Sequence, residues 1–316
     1  MNKVNVCIFG AGGQLGSKLV ESFVKNDLFN IYAIDKTFKK KISHENLKYF
    51  SLDIQNPLEN ELKKIPRENI VFINCIGLQH AFLSRNITKV NFHLNKKLYD
   101  FIDKNYTNYK FIFISSLSVD NTKPSEILPG VGKPINLYGE SKLMFEKYLF
   151  QRLNENVTVI RPAAFYDLKL SKNLENFFNL LINKIFFLPS KNVYRSFLSL
   201  EYFCKFLEEF VIKNYSTKIF EIADNEPIEF NTLIKHLKNS KIEVNSKIIY
   251  LPKFLFKTAG FMGYFFEKLG IHISLLTILG EFGYDFVADD RKNQIQLEKE
   301  DTYENFKEII KKFNWE

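Results

Sequence analysis

Cysteine is scarce in this sequence: three residues in 316, at positions 7, 75 and 204. They are far apart and lie mostly in apolar runs, which rules out a disulfide framework and offers no zinc-binding spacing. No metal site is expected. A bilayer-length apolar run is also lacking. The most apolar late stretch, Phe254 to Phe282, is interrupted by Lys257, Glu267, Lys268, His272 and Glu281. It reads as core or as a dimer face, and membrane association is not expected. The chain passes straight into an apolar run at Val4, leaving no room for a signal peptide, so a soluble cytoplasmic protein is expected. Repeats and low-complexity linkers are absent. Acidic residues are in deficit, with 36 Asp and Glu against 44 Lys and Arg and a formal charge of +8. A basic surface suits anionic partners. The tightest cluster, Lys39-Lys40-Lys41, carries no interleaved aromatics and no nucleic-acid motif. Phosphate-bearing small molecules are therefore expected partners, and nucleic acid is not.

What the chain does have is a series of short apolar runs, each stopping at a polar or glycine group. Val4 to Phe9 ends in Gly10-Ala-Gly-Gly-Gln-Leu-Gly16, Ile31 to Ile34 in Asp35, and Tyr49 to Leu52 in Asp53. Ile70 to Ile73 ends in Asn74-Cys-Ile-Gly77, Phe111 to Ile114 in Ser115-Ser116, and Val157 to Ile160 in Arg161-Pro162. Helical patterns lie between most of them, for example Val90 to Asp103. Buried, non-alternating strands alternating with helices predict an α/β, doubly wound parallel sheet of Rossmann type. Ligands bind such sheets at the carboxyl ends of the strands. Residues 1–165 read as the nucleotide-binding domain, with elements near 196–223 returning to it. Residues 166–316 read mainly as a smaller, interleaved C-terminal substrate-binding cap. Within that part, Leu174 to Ile185, Leu198 to Val211 and Ile228 to Leu237 read as helices. Ile219 to Ile222 reads as a strand rejoining the sheet, and Lys247 to Leu251 as a short strand.

Two groups of residues carry chemistry. Gly10, Gly13 and Gly16 stand between a strand and a helix, where glycine lets backbone approach a pyrophosphate held at the helix N-terminus. Asp35 follows Gly16 by 19 residues at a strand end, where a carboxylate can bind both ribose hydroxyls. Its charge would repel a 2′-phosphate, which favours NAD, while Lys36 and Lys39 to Lys41 leave NADP open. Tyr138 and Lys142 are four apart and share one face of a helix. A cation beside a phenol favours the phenolate and brings a poor proton donor towards the working range.

With these residues in view, the sequence resembles the extended short-chain dehydrogenase/reductase family of NAD-dependent sugar-nucleotide epimerases, dehydratases and reductases. The family's glycine pattern is matched by Gly10, Gly13 and Gly16, and its strand-end acid by Asp53 followed by Ile54. Asn74-Cys-Ile-Gly77, Val90-Asn91, Ser115-Ser116, Tyr138 with Lys142, and Arg161-Pro162 match its further motifs in unbroken order. The resemblance implies cofactor contacts from Gly10, Gly13, Gln14, Leu15, Gly16, Asp35, Asp53, Ile54, Cys75, Gly77, Tyr138 and Lys142. It implies Tyr138 as general acid/base, Ser116 as hydrogen-bond donor to the reacting oxygen, and Lys142 as the holder of the nicotinamide ribose that lowers the tyrosine pKa. A nucleotide-diphosphate sugar is the implied substrate, with Ser116, His80 and Arg195 as its contacts, Arg195 at the pyrophosphate. It also implies a homodimer through helices that include the one bearing Tyr138.

The 4,6-dehydratases of this family carry an Asp-Glu pair directly after the catalytic Ser/Thr. Here Leu117-Ser118 follows Ser116, which disfavours dehydration and leaves epimerisation or 4-keto reduction. Cys75, on its residue type alone, reads as a small core residue, Glu140 as solvent-facing, and Asn91 as a backbone brace. Two other readings compete with the enzyme: a non-catalytic dinucleotide-binding subunit of the same fold, and attachment of Phe254 to Phe282 to a membrane surface.

Overall fold

The computed structural model describes residues 3–79, 83–121, 127–167, 186–213, 218–239, 247–289 and 299–312. Seven strands form one parallel sheet: β1 (Val4–Phe9), β2 (Phe29–Asp35), β3 (Leu47–Ser51), β4 (Ile70–Asn74), β5 (Tyr109–Ile114), β6 (Val157–Pro162) and, late in the chain, β11 (Ile219–Ile222). Their spatial order is β11-β6-β5-β4-β1-β2-β3, so the winding reverses between β1 and β4. The inner strands are mainly apolar because both faces are covered, whereas edge strand β3 exposes Lys48 and Ser51. Along β1, Val6 and Ile8 enter one core cluster, and Cys7 and Phe9 enter the other. β4 and β5 repeat this division, with Ile73 and Ile112 on the first side and Phe72 and Phe111 on the second.

The first side is closed by α1 (Gln14–Phe23) and by α6 (Leu200–Lys213). The second is closed by α4 (Asn95–Asn105) and α5 (Leu137–Gln151). Single-turn helices α2 (Glu59–Leu62) and α3 (Arg85–Thr88) lie on the connections. The segment expected as a helix over Val90 to Asp103 begins as a π-helix, Lys89–Leu94, and becomes α-helical only at Asn95. Such wide turns cluster at functional sites, and this one brings Asn91 and Asn95 to the same loop.

Strands β7 (Ala164–Tyr166), β8 (Phe186–Pro189), β9 (Tyr194–Arg195), β10 (Phe197–Ser199), β12 (Ile228–Glu229) and β13 (Ile248–Leu251) form three small two-stranded sheets. With α7 (Phe230–Asn239), α8 (Lys253–Lys268), α9 (Ser274–Glu281) and α10 (Thr302–Lys312) they surround a third core, which includes Tyr166, Leu188, Phe230, Phe256, Phe282 and Phe306. Two expected helices start later than their apolar patterns. Leu198 belongs to β10 and Ile228 to β12, since each run opens with strand pairing before it coils. Ile219 to Ile222 does rejoin the main sheet, parallel to β6. The helix expected over Leu174 to Ile185 lies outside the described residues. Phe254 to Phe282, expected as core or a dimer face, enters the core in part, through Phe256 and Phe282. It forms the antiparallel pair α8 and α9, whose outward side chains, Phe261 (71% exposed) among them, face solvent.

Candidate active site

The glycine turn sits where β1, β2 and β4 end together. Gly10 N–H donates to Ile34 O at 3.0 Å, and Cys75 N–H donates to Phe9 O at 3.0 Å. Gly10 has φ +77°, a backbone region costly for any residue with a Cβ. A Cβ on Gly16 would stand 2.1 Å from Gly10 O, so the turn closes only with glycine at both places. Gly13 precedes the first turn of α1, which has no side-chain cap and no acidic residue. Its N–H groups and positive dipole end are therefore available to a phosphate. Gln14 and Leu15 open the helix, Gln14 exposed and Leu15 packed against the first core.

Asp35 stands beside this turn. Its carboxylate accepts from Gly12 N–H at 3.0 Å and from Thr37 N–H at 3.3 Å. Asp53 follows β3 and is held by Gln55 N–H at 2.9 Å, with Ile54 buried behind it. A sugar diol at the turn would meet Asp35, and an adenine beyond it would meet the Asp53–Ile54 backbone. The arrangement fits a dinucleotide.

The loop after β4 is fastened by two buried asparagines. Asn91 accepts from Leu78 N–H at 2.8 Å, donates to Leu78 O at 2.9 Å, and donates to Ser141 Oγ at 2.9 Å. Asn95 accepts from Asn74 Nδ2 at 3.0 Å and donates to Ile76 O at 3.3 Å. Asn91 thus acts as the expected brace, linking this loop to the helix that bears Tyr138. His80 lies outside the described residues.

Helix α5 starts at Asn136, whose side chain caps Gly139 N–H at 2.8 Å. A Cβ on Gly139 would fall 2.0 Å from Ser118 O, so the helix start is pressed against the turn holding Ser116. Ser116 Oγ accepts from Ser118 N–H and pairs with Ser118 Oγ, both at 3.1 Å. Tyr138 faces this turn. Desolvation pushes its phenol up to about 12, the Glu281 carboxylate adds to the rise, and the Ser116 hydroxyl opposes it. One turn on, Lys142 is buried and donates to Ile114 O at 2.9 Å and Ile76 O at 3.4 Å, with the Phe113 ring 4.7 Å away. Loss of water lowers its ammonium to about 8. A Cβ on Gly77 would come within 3.0 Å of Lys142 Nζ, which places the ammonium at the β4 loop. Cys75 lies half-buried at the same place, its thiol pushed up by desolvation and drawn back by Lys142. The ammonium is turned towards the two carbonyls.

Behind α5, Glu146 accepts from Ser115 Oγ at 2.5 Å and is paired with Arg161 at 2.6 Å, all buried. This ties the end of β5 to the helix and gives Arg161 a structural role.

Arg195 is brought to the same side of the molecule but is already engaged. It pairs with Glu281 at 3.1 Å and lies over Phe286, 5.1 Å from the ring centre. Glu281 in turn accepts from Asn136 Nδ2 at 3.4 Å. Glu281 escaped the sequence reading because no motif surrounds it and its nearest active-site partners lie over eighty positions earlier. Asn136 was missed as well, although its residue type, three before Gly139, is that of an N-cap. Glu140, expected to face solvent, binds Lys268.

A model of the NAD dependent epimerase/dehydratase family matches residues 6–185. Among solved structures, the UDP-N-acetylglucosamine 4-epimerase of Methanobrevibacter ruminantium, in complex with UDP-N-acetylmuramic acid, is 16% identical with a TM-score of 0.70, and the match covers 98% of each chain. The dTDP-glucose 4,6-dehydratase of Bacillus anthracis in complex with NAD is 14% identical with a TM-score of 0.68, covering 98% of this chain and 96% of that one. The UDP-glucose 4-epimerase of Thermotoga maritima with UDP-glucose is 17% identical with a TM-score of 0.66, covering 97% of both. At these identities the likeness is one of fold. No curated protein sequence matches.

Proposed function

Because the chain belongs to the NAD-dependent epimerase/dehydratase family, we propose that it acts on a nucleotide-diphosphate sugar, as an epimerase or 4-keto-reductase. The observation that carries this reading is the meeting of Ser116, Tyr138 and Lys142 at the carboxyl edge of β4 and β5, next to the glycine turn. Gly10, Gly13, Gln14, Leu15, Gly16, Asp35, Asp53, Ile54, Cys75 and Gly77 would hold NAD, which when bound would accept and return hydride at a sugar carbon. Tyr138 moves the proton of the oxygen on that carbon, and the Ser116 hydroxyl donates a hydrogen bond to the same oxygen as charge develops on it. Lys142 orients the nicotinamide ribose through its ammonium. On substrate binding Arg195 exchanges Glu281 for a diphosphate oxygen, a switch between two anionic partners that needs no new cation.

Elimination of water finds no support in the residues after Ser116. Leu117 is buried in the first core, and Ser118 is turned to Ser116. Neither supplies an acid at the sugar.

The test is cofactor absorbance and sugar analysis on purified protein with UDP-, dTDP- and GDP-sugars, repeated with Tyr138→Phe. Net change in reduced nicotinamide marks a reductase, and conversion without net change marks an epimerase. Either is expected to drop about 10²–10⁴-fold in the variant, the usual worth of a general acid/base. Turnover unaffected by Tyr138→Phe would remove the residue from the chemistry. Cofactor binding with no sugar turned over would favour the non-catalytic subunit.

A further inference from the structure

The loop that follows β3 is gripped by a lysine to which neither the motifs nor the proposed chemistry gives a role. Lys97, on α4, sends its ammonium to three consecutive main-chain carbonyls: Ile54 O at 3.0 Å, Gln55 O at 2.9 Å and Asn56 O at 2.7 Å. An ammonium has three N–H donors, and here each meets an oxygen of the same loop. Three carbonyl oxygens gathered round one point turn their negative ends towards each other, and a cation at the centre relieves that repulsion. Rings of main-chain carbonyls hold alkali ions in the same manner. Lys97 supplies the cation from within the chain.

The loop it holds is the one on which the adenine half of the dinucleotide would rest. Asp53 Oδ1 accepts from Gln55 N–H at 2.9 Å, and Asp53 O accepts from Asn56 N–H at 2.9 Å. A peptide unit is planar, so a carbonyl and the N–H that follows it turn together. The Ile54 carbonyl shares its plane with Gln55 N–H, and the Gln55 carbonyl shares its plane with Asn56 N–H. Each of these two planes is therefore held at one edge by Lys97 and at the other by Asp53. Orienting the carbonyls orients the Asp53 carboxylate, while the Ile54 side chain is anchored in the second core. Lys89, at the start of the π-helix, reaches the same loop differently: its ammonium donates at 2.7 Å to a side chain, Gln55 Oε1.

We propose that Lys97 is a positioning residue of the cofactor site, a built-in cation that preorganises the loop after β3 for the adenine half of the dinucleotide. This rests on the reading of NAD as cofactor. A loop that is already ordered gives up less conformational freedom on binding, so the contribution falls on affinity and not on the chemical step.

The experiment is calorimetric titration of the full chain with NAD and with adenosine monophosphate, in tetramethylammonium chloride so that no alkali ion enters the vacated position. Lys97→Ala is expected to bind both nucleotides about tenfold more weakly, the scale of hydrogen bonds to a charged group. Its urea midpoint without ligand is expected to stay close to that of the wild type, since alanine suits an exposed helix position. n-Propylammonium, the fragment that the substitution removes, is expected to restore most of the lost affinity, which tetramethylammonium, having no N–H, does not do. Lys89→Ala removes an equal charge beside the same loop and is expected to bind both nucleotides as the wild type does. Lys97→Ala binding as tightly as the wild type would overturn the proposal, as would a loss that n-propylammonium leaves in place. An equal loss in Lys89→Ala would also overturn it, by assigning the effect to charge at a distance. Wild type that binds neither nucleotide would remove the cofactor reading and this inference with it, whereas wild type that binds both confines a failure of the variants to the inference alone.

Discussion

At the scale of single residues, the site is organised by where water is excluded. Lys142 carries its ammonium in a pocket where only two carbonyls and a ring face offset desolvation, and its pKa falls from 10.5 to about 8. From about 8 up to 10.5, the unfolded chain binds a proton on this lysine that the folded chain does not. Stability therefore rises with pH across that window, and below it the cost of the buried ammonium is borne in full. Without added cofactor, the wild type should gain about 2 kcal/mol relative to Lys142→Met between pH values near 7.5 and 9.5. Urea unfolding of both proteins at the two pH values checks this. The thiols, including the nearby Cys75, are common to both, so the difference isolates the lysine. An unchanged difference between the proteins would mean that Lys142 titrates as an ordinary surface lysine. Desolvation likewise holds the Tyr138 phenol at about 12.

At the scale of elements, the start of α5 is fixed from three directions: by Asn136 within its own turn, by the Ser116–Ser118 turn against Gly139, and by Glu267 of α8 on Leu137 N–H. The last of these depends on the hairpin, and the hairpin depends on glycine. A Cβ on Gly280 would fall 2.2 Å from Gly260 Cα, so Gly280→Ala must force α8 and α9 apart. It should destabilise the protein by about 1–3 kcal/mol, the usual cost of overpacking. It should also expose the hairpin to proteolysis before the sheet unfolds. A denaturation midpoint and a proteolysis pattern identical to wild type would show that the seam yields without cost. The strands and the motifs after them were legible because burial on both faces leaves an unbroken apolar run, and each motif is local. Tyr138 and Lys142 share one helix, and Gly10 to Gly16 form one turn. Glu267 and Glu281 were not legible, since their partners at 137 and 195 are distant in sequence and a glutamate on an apolar helix carries no local sign of pairing. The outward face of α8 was left open for the same reason, as core or as a dimer face. Its apolar pattern shows that a surface is covered without saying by what.

At the scale of the whole molecule, one sheet carries the proposed cofactor site along its carboxyl edge. The glycine turn follows β1, Asp35 ends β2, Asp53 follows β3, Gly77 follows β4, and Lys142 reaches the end of β5. A ligand spanning these positions holds five strands at once, so its binding should register as stability of the whole fold. NAD at about 100 times its dissociation constant should add about 2.7 kcal/mol to unfolding, read as a higher thermal midpoint. NADP differs by a phosphate on the ribose that Asp35 is proposed to bind. Like charges at that distance oppose each other, and the carboxylate is already fixed by Gly12 and Thr37 N–H groups, so it cannot easily turn away. At equal concentration NADP should therefore give a distinctly smaller shift than NAD. In Asp35→Ser the NAD shift should fall and the NADP shift should rise towards it, because Lys39 and Lys40 line the cleft beside Gly12 and can then meet the phosphate unopposed. Equal shifts from the two cofactors in the wild type would show that these lysines outweigh Asp35, and would make NADP the cofactor that the sheet edge is built to hold.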